Sequence, residues 1–96
     1  MSVDIGSLIV SSPDMKHSRP RIAGTGITVQ RLALWYKLGH GPEEMVRKYP
    51  HLTLAQVHAA LAYYHANQAE IEAGIAVDEA EYERLERAYV TTRPPA

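Results

Sequence analysis

Apolar and polar positions change their rhythm near residue 29 of this chain. Before it the apolar residues come in short runs, Leu8-Ile9-Val10 within residues 7–11 and the β-branched Ile27-Thr28-Val29. Such runs favour extended backbone and predict a small two-stranded element ahead of the helices. A two-stranded ribbon is barely stable alone, so it should pack on those helices or pair with another copy. Gly24-Thr25-Gly26 lies between the two runs. No Gly-Lys-Ser/Thr follows, and Val29 stands where a dinucleotide fingerprint needs its third glycine. The loop therefore reads as a tight connection, its glycines supplying positive φ or close approach, and not as a phosphate cradle.

Beyond residue 29 the period is helical. Residues 30–38 predict a first helix, with Leu32, Trp35, Tyr36 and Leu38 on one broad side and Gly39 as its left-handed C′ residue. Residues 42–48 predict a short second helix, with Gly41 at the N-cap, Pro42 at N1 and Met45 and Val46 as its buried pair. Glu43 and Glu44 suit its positive end, Arg47 and Lys48 its negative end, and Tyr49 before Pro50 stops it. Thr53 with Gln56 makes a capping box, flanked by a Leu52–Val57 hydrophobic staple, and opens a third helix. From there Val57, Leu61, Tyr64, Ile71, Ile75, Tyr82, Leu85 and Tyr89 keep a heptad register that Gln68 and Asp78 interrupt. The register predicts one long helix or two collinear ones. Gly74 weakens its middle by roughly 1 kcal/mol, and Asp78 with Glu81 offers a restart; a continuous or kinked helix is the preferred reading. Residues 93–96 predict a frayed tail.

Composition narrows the function classes. Ninety-six residues supply one core, and a core this small makes a homodimer a reasonable expectation. The absence of cysteine excludes thiolate chemistry and a disulfide framework. With no apolar span or secretory segment, the expected location is the cytoplasm, away from membranes. Charge is uneven: residues 1–65 hold seven Lys/Arg against four Asp/Glu, a balance of +3, and residues 66–96 hold three arginines against seven acids, a balance of −4. The chain thus divides into residues 1–65, strand element plus helices, and residues 66–96, an acidic helical extension. Two different partners are implied, one of them anionic.

Candidate chemistry is sparse. His51, His58 and His65 are seven residues apart, too far along a helix for two of them to share a metal, and no nucleophile–base pair or cofactor motif is visible. An enzyme is not expected, nor a metal or cofactor. The two consecutive helices before and after the Tyr49-Pro50-His51-Leu52 connection do match a helix-turn-helix, whose second helix presents its N-terminal residues to the DNA major groove. In that reading Gln56 reads adenine, although its capping role competes for the same side chain. Thr53 lies beside it, with Ala55, Ala59 and Tyr63 outward, while Arg47, Lys48 and His51 contact phosphate and Arg19 and Arg21 reach the backbone or a minor groove. A plain helical hairpin burying a core is the bland alternative.

The segment RPRIAGTGITVQRLALWYKLGHGPEEMVRKYPHLTLAQVHAALAYY, residues 19–64, resembles the bacterial domain-of-unknown-function family 433. The resemblance rests on an ordered set: Pro20, Ile22, Gly24, Thr25, Ile27 and Val29 at the entry, Gly39, Glu43 and Glu44, then Tyr49, Pro50, Leu52, Thr53, Val57, Ala60, Leu61 and Tyr63. It implies a mainly α fold, a short strand element followed by a homeodomain-like three-helix unit, to which this chain adds a long C-terminal helix. It also implies an antitoxin of a toxin–antitoxin pair, with a PIN-like nuclease as toxin. Gly26 replaces an arginine common in the family, a charge for which Arg19 and Arg21 would compensate. The resulting expectation is a homodimeric antitoxin-like regulator that binds operator DNA and covers a nuclease with Ile71, Ile75, Tyr82, Leu85 and Tyr89. The alternative is an interaction or oligomerisation module that does not touch nucleic acid.

Overall fold

The computed structural model of the chain describes residues 2, 4–11 and 19–92; the expected tail at residues 93–96 lies outside them. A 3-10 turn at Ile5–Leu8 leads into β1 (Ile9–Val10), which pairs antiparallel with β2 (Arg21–Ile22), Ile9 opposite Ile22. Four helices follow: α1 (Val29–Lys37), α2 (Pro42–Lys48), α3 (Leu54–Ala66) and α4 (Gln68–Thr92). The fold is mainly helical, with a short two-stranded sheet in front and a long helix behind.

The strand element differs from expectation in its partner. Residues 27–29 do not form the second strand; the pairing segment lies before the glycines. Gly24 takes φ +77° and reverses the chain immediately after Ile22. Thr25 locks the reversal, its hydroxyl donating to the Ile22 carbonyl (2.9 Å) and accepting from the Ile27 N–H (3.1 Å). The returning backbone makes one bridge, Thr28 to Arg21, and the Thr28 hydroxyl then accepts the Arg31 N–H as the N-cap of α1. A β-branched run is thus consumed by a cap. Gly26 has no positive φ.

Helix punctuation follows local chemistry. Gly39, at φ +98°, sends its N–H to the Tyr36 carbonyl, and His40 sends its own to Trp35. This is the paired pattern of a Schellman end, and the rings of Trp35 and His40 meet edge-on across it at 5.2 Å. Thr53 and Gln56 exchange both hydrogen bonds of the capping box, at 3.2 and 2.8 Å. Asn67 ends α3 by giving its backbone N–H to Tyr63 and Tyr64 and its side-chain amide to the Tyr63 carbonyl. The helical stretch is therefore broken at Asn67 and α4 then runs continuously through Gly74 and Asp78, so there is no restart at Asp78.

The core gathers Ile22 from β2, Val29 and Leu32 from α1, Met45 from α2, Val57, Leu61 and Tyr64 from α3, and Ile71 and Ile75 from α4. The first turns of α4 thus complete the body formed by the three preceding helices.

Candidate functional site

Two surfaces carry the residues singled out by the sequence. The first is the ridge from the end of α2 to the start of α3. Arg47, Lys48, His51 and Thr53 are all exposed along it, and Glu44, Arg47 and Lys48 line a shallow depression of about 250 Å³. Lys48 Nζ sits 4.4 Å from the centre of the Trp35 ring, a cation–π contact, and Trp35 Nε1 donates to Tyr49 Oη at 3.0 Å. These two contacts tie the start of the connection to α1 and seat the Lys48 ammonium over the Trp35 indole. Gln56 is held by the cap through its amide oxygen, so a bidentate adenine contact requires the cap to open. The exposed residues of α3 are Leu54, Ala55, His58, Ala62, His65 and Ala66, with no lysine or arginine anywhere in the helix. Ala59 is buried and Tyr63 half-buried, so neither projects as expected.

Arg19 is diverted elsewhere. Its guanidinium makes a two-pronged pair with Asp78 of α4, at 2.6 and 2.7 Å, and also reaches Gln30 Oε1 at 3.1 Å. Gln30 Nε2 closes the triangle by donating to Asp78 at 2.7 Å. Gln30 is only 7% exposed, so its amide needs these partners. The arginine beside Asp78 holds its carboxyl down at about 2, against the desolvation of the site. Gly74 explains itself here: a Cβ at that position would lie 2.6 Å from Gln30 Oε1, so α4 passes over the buried amide at a distance that a larger residue forbids. Arg21 stays half-buried in β2, away from the α2–α3 ridge in sequence and element. A second clasp joins Lys37 to Glu72 at 2.7 Å, and Glu72 also accepts the Tyr64 hydroxyl, pushing that phenol up to about 12.

The second surface is α4. Its stripe divides in two: Ile71 and Ile75 are 3% and 4% exposed, whereas Tyr82, Leu85 and Tyr89 are 69%, 53% and 65% exposed. Ile71 and Ile75 thus face the protein's own core and are closed to a partner. Next to the exposed half, α1 shows Leu34 and Leu38, two residues that sequence reading did not assign to a site. The helical period puts Leu38 on the broad apolar side of α1, but as the C-cap beside the Schellman turn it stands exposed, outside the core. Gln30 and Gly74 were also missed as a pair, being far apart in sequence. The legible signal was Asp78, a carboxylate on an apolar stripe, which demands a partner. Among the described residues no group of three or more His, Cys, Asp or Glu is placed to hold a metal, and no helix is long and apolar enough to cross a membrane.

No curated protein matches the chain. A crystal structure at 2.00 Å of a DUF433 member protein from Anabaena variabilis is similar to it, with a TM-score of 0.65 and 31% identity over 73% of this chain and 69% of that one. The family model described as "Protein of unknown function (DUF433)" matches residues 9–64, from the start of β1 to the last turn of α3. The strand pair, the Gly24 reversal, the Gly39 helix end and the Thr53 cap all lie within that span, and on this match the chain belongs to the DUF433 family.

Proposed function

We propose that this protein is a cytoplasmic, homodimeric, antitoxin-like regulator that acts by binding and not by catalysis. The outer half of α4 holds a partner protein, a PIN-like nuclease in the toxin–antitoxin reading, and the α2–α3 ridge touches operator DNA. The observation that carries the reading is Tyr82, Leu85 and Tyr89 standing exposed on one stripe of a helix whose inner half is already docked. Exposed aromatic and leucine side chains in a row are what a partner buries. The ridge contributes Arg47, Lys48, His51 and Thr53, a place where phosphate contact would be strongly salt-dependent. The test looks for a PIN-like nuclease gene beside that of this protein and pairs the two products. Wild type should suppress RNA cleavage and Leu85→Asp should not; equal suppression by both overturns the assignment of α4.

A second reading keeps the partner and removes the DNA. The absence of lysine and arginine from α3, the capped Gln56 and the diverted Arg19 favour it. Titration of the protein with its own upstream DNA across salt decides between the two. Specific, salt-sensitive binding lost in Arg47→Ala/Lys48→Ala supports the regulator, and no specific binding at low salt leaves an interaction module.

A further inference from the structure

We propose that the partner enters a trough between α1 and α4, floored by Leu34, as a helix whose apolar stripe is flanked by lysine or arginine. This rests on the reading that the outer half of α4 holds a partner and specifies both the second wall and the partner's chemistry.

The trough comprises two depressions that meet at Leu34. One, of about 320 Å³, runs from Leu34 to Ile75 and Tyr82, with Glu79 and Glu83 on its rim. The other, of about 350 Å³, lies along α1 alone, lined by Thr28, Arg31, Leu34, Trp35 and Leu38. Leu34 and the C-cap residue Leu38 are four apart, so Leu34 joins the two depressions along one side of α1. It is open and elongated, and among the described residues no buried side-chain polar atom lacks a partner, so nothing converges on a small ligand there. Side chains at helical spacing match such a shape.

Charge selects the occupant. Glu79, Glu83 and Glu86 follow one another at intervals of four and three, so they share the side of α4 that borders the trough. Asp78 is paired with Arg19, and Glu79, Glu83 and Glu86 are exposed. The α4 helix of a second copy laid here would bring the same glutamates against these, and like charges in close register select against that pairing. Arg31 lines the α1 depression, so the acid borders the α4 side only, and an apolar stripe with lysine or arginine along the edge that faces α4 fits both.

The test uses the full chain and a fluorescein-labelled synthetic helical peptide with leucine at heptad positions a and d and lysine at e and g. A control peptide carries glutamate at e and g. Fluorescence anisotropy should show salt-sensitive binding of the lysine peptide alone, weakened about tenfold or more by Leu34→Asp, by the more exposed Leu38→Asp and by Leu85→Asp. Thermal melts by circular dichroism confirm that each variant is folded. Loss with Leu85→Asp but not with either α1 variant overturns the trough and leaves the α4 reading standing. Indifference to all three overturns both. Equal binding of the two peptides, or failure of the lysine peptide to bind, overturns the basic partner. A wild-type dimer in sedimentation that Leu38→Asp dissociates gives the trough to a second copy and overturns it as well.

Discussion

The inner and outer halves of α4 carry the same heptad stripe and put it to opposite uses. In residues 68–78, Ile71 and Ile75 are sealed into the core, Gly74 lets the helix ride over the Gln30 amide, and Asp78 is clasped by Arg19. In residues 79–92 the same register presents Tyr82, Leu85 and Tyr89 to solvent, bordered by glutamates. One helix is therefore docked over part of its length and exposed over the rest, and its periodicity does not say where the docking stops. The boundary is set by a glycine and two polar groups, a buried amide and a paired carboxylate.

The widest separation between the halves should appear in stability. Ile75→Ala removes apolar contacts from a closed site and should cost about 2–4 kcal/mol. Leu85→Ala removes an exposed side chain and should stay within about 0.5 kcal/mol. Truncation gives the same contrast more coarsely: a chain ending after residue 66 loses Ile71 and Ile75 and should lose cooperative unfolding, whereas one ending after residue 79 should keep it. Urea denaturation of the four proteins checks this, and an equal response to Ile75→Ala and Leu85→Ala would abolish the distinction.

What the sequence made legible was local. Gly39, Pro42 and the Thr53–Gln56 box act within a turn of the residues they control, and each helix start or stop they mark stands within a residue of its expected place. What it hid was non-local or phase-preserving. The break at Asn67 left the apolar period from Tyr64 to Ile71 in step, so the register alone allowed one long helix or two collinear ones. Gln30 and Asp78 lie on different helices and announce nothing to each other. The β-branched Thr28 looked like strand because its hydroxyl, which makes it a cap, is invisible to a hydrophobic pattern. On the α2–α3 ridge, residue types were readable but their commitments were not: Gln56 and Arg19 are both occupied inside the molecule.

Gly74 offers a sharper test of that boundary, because two effects oppose each other there. Gly74→Ala gains helix propensity of about 1 kcal/mol, yet places its methyl 2.6 Å from Gln30 Oε1. The amide cannot turn aside without losing its bonds to Arg19 and Asp78. The substitution should therefore destabilise the wild-type protein by about 1 kcal/mol and stabilise a Gln30→Ala protein by up to about 1 kcal/mol. A double-mutant cycle in urea reads the reversal directly. The same sign in both backgrounds would mean that close approach is not what selects glycine.

The smallest effect belongs to the clasp itself, and pH separates it from the rest. Arg19 holds the Asp78 carboxyl at about 2 in the folded chain, below the roughly 3.9 of an unfolded aspartate. A depressed carboxylate contributes stability above its unfolded value and loses it as pH falls toward the folded one. Both side chains are more than a third exposed, so solvent screening limits the pair; about 0.5–1 kcal/mol is the scale for such a site. Wild type should exceed Asp78→Asn by that amount near neutrality, and the gap should close between about pH 4 and pH 2. Raising the salt at neutral pH should narrow it too, since the pair is reached by ions. A gap that persists unchanged at low pH would mean that the Gln30 hydrogen bond, and not the arginine, fastens α4 to α1 at the point where its docked half ends.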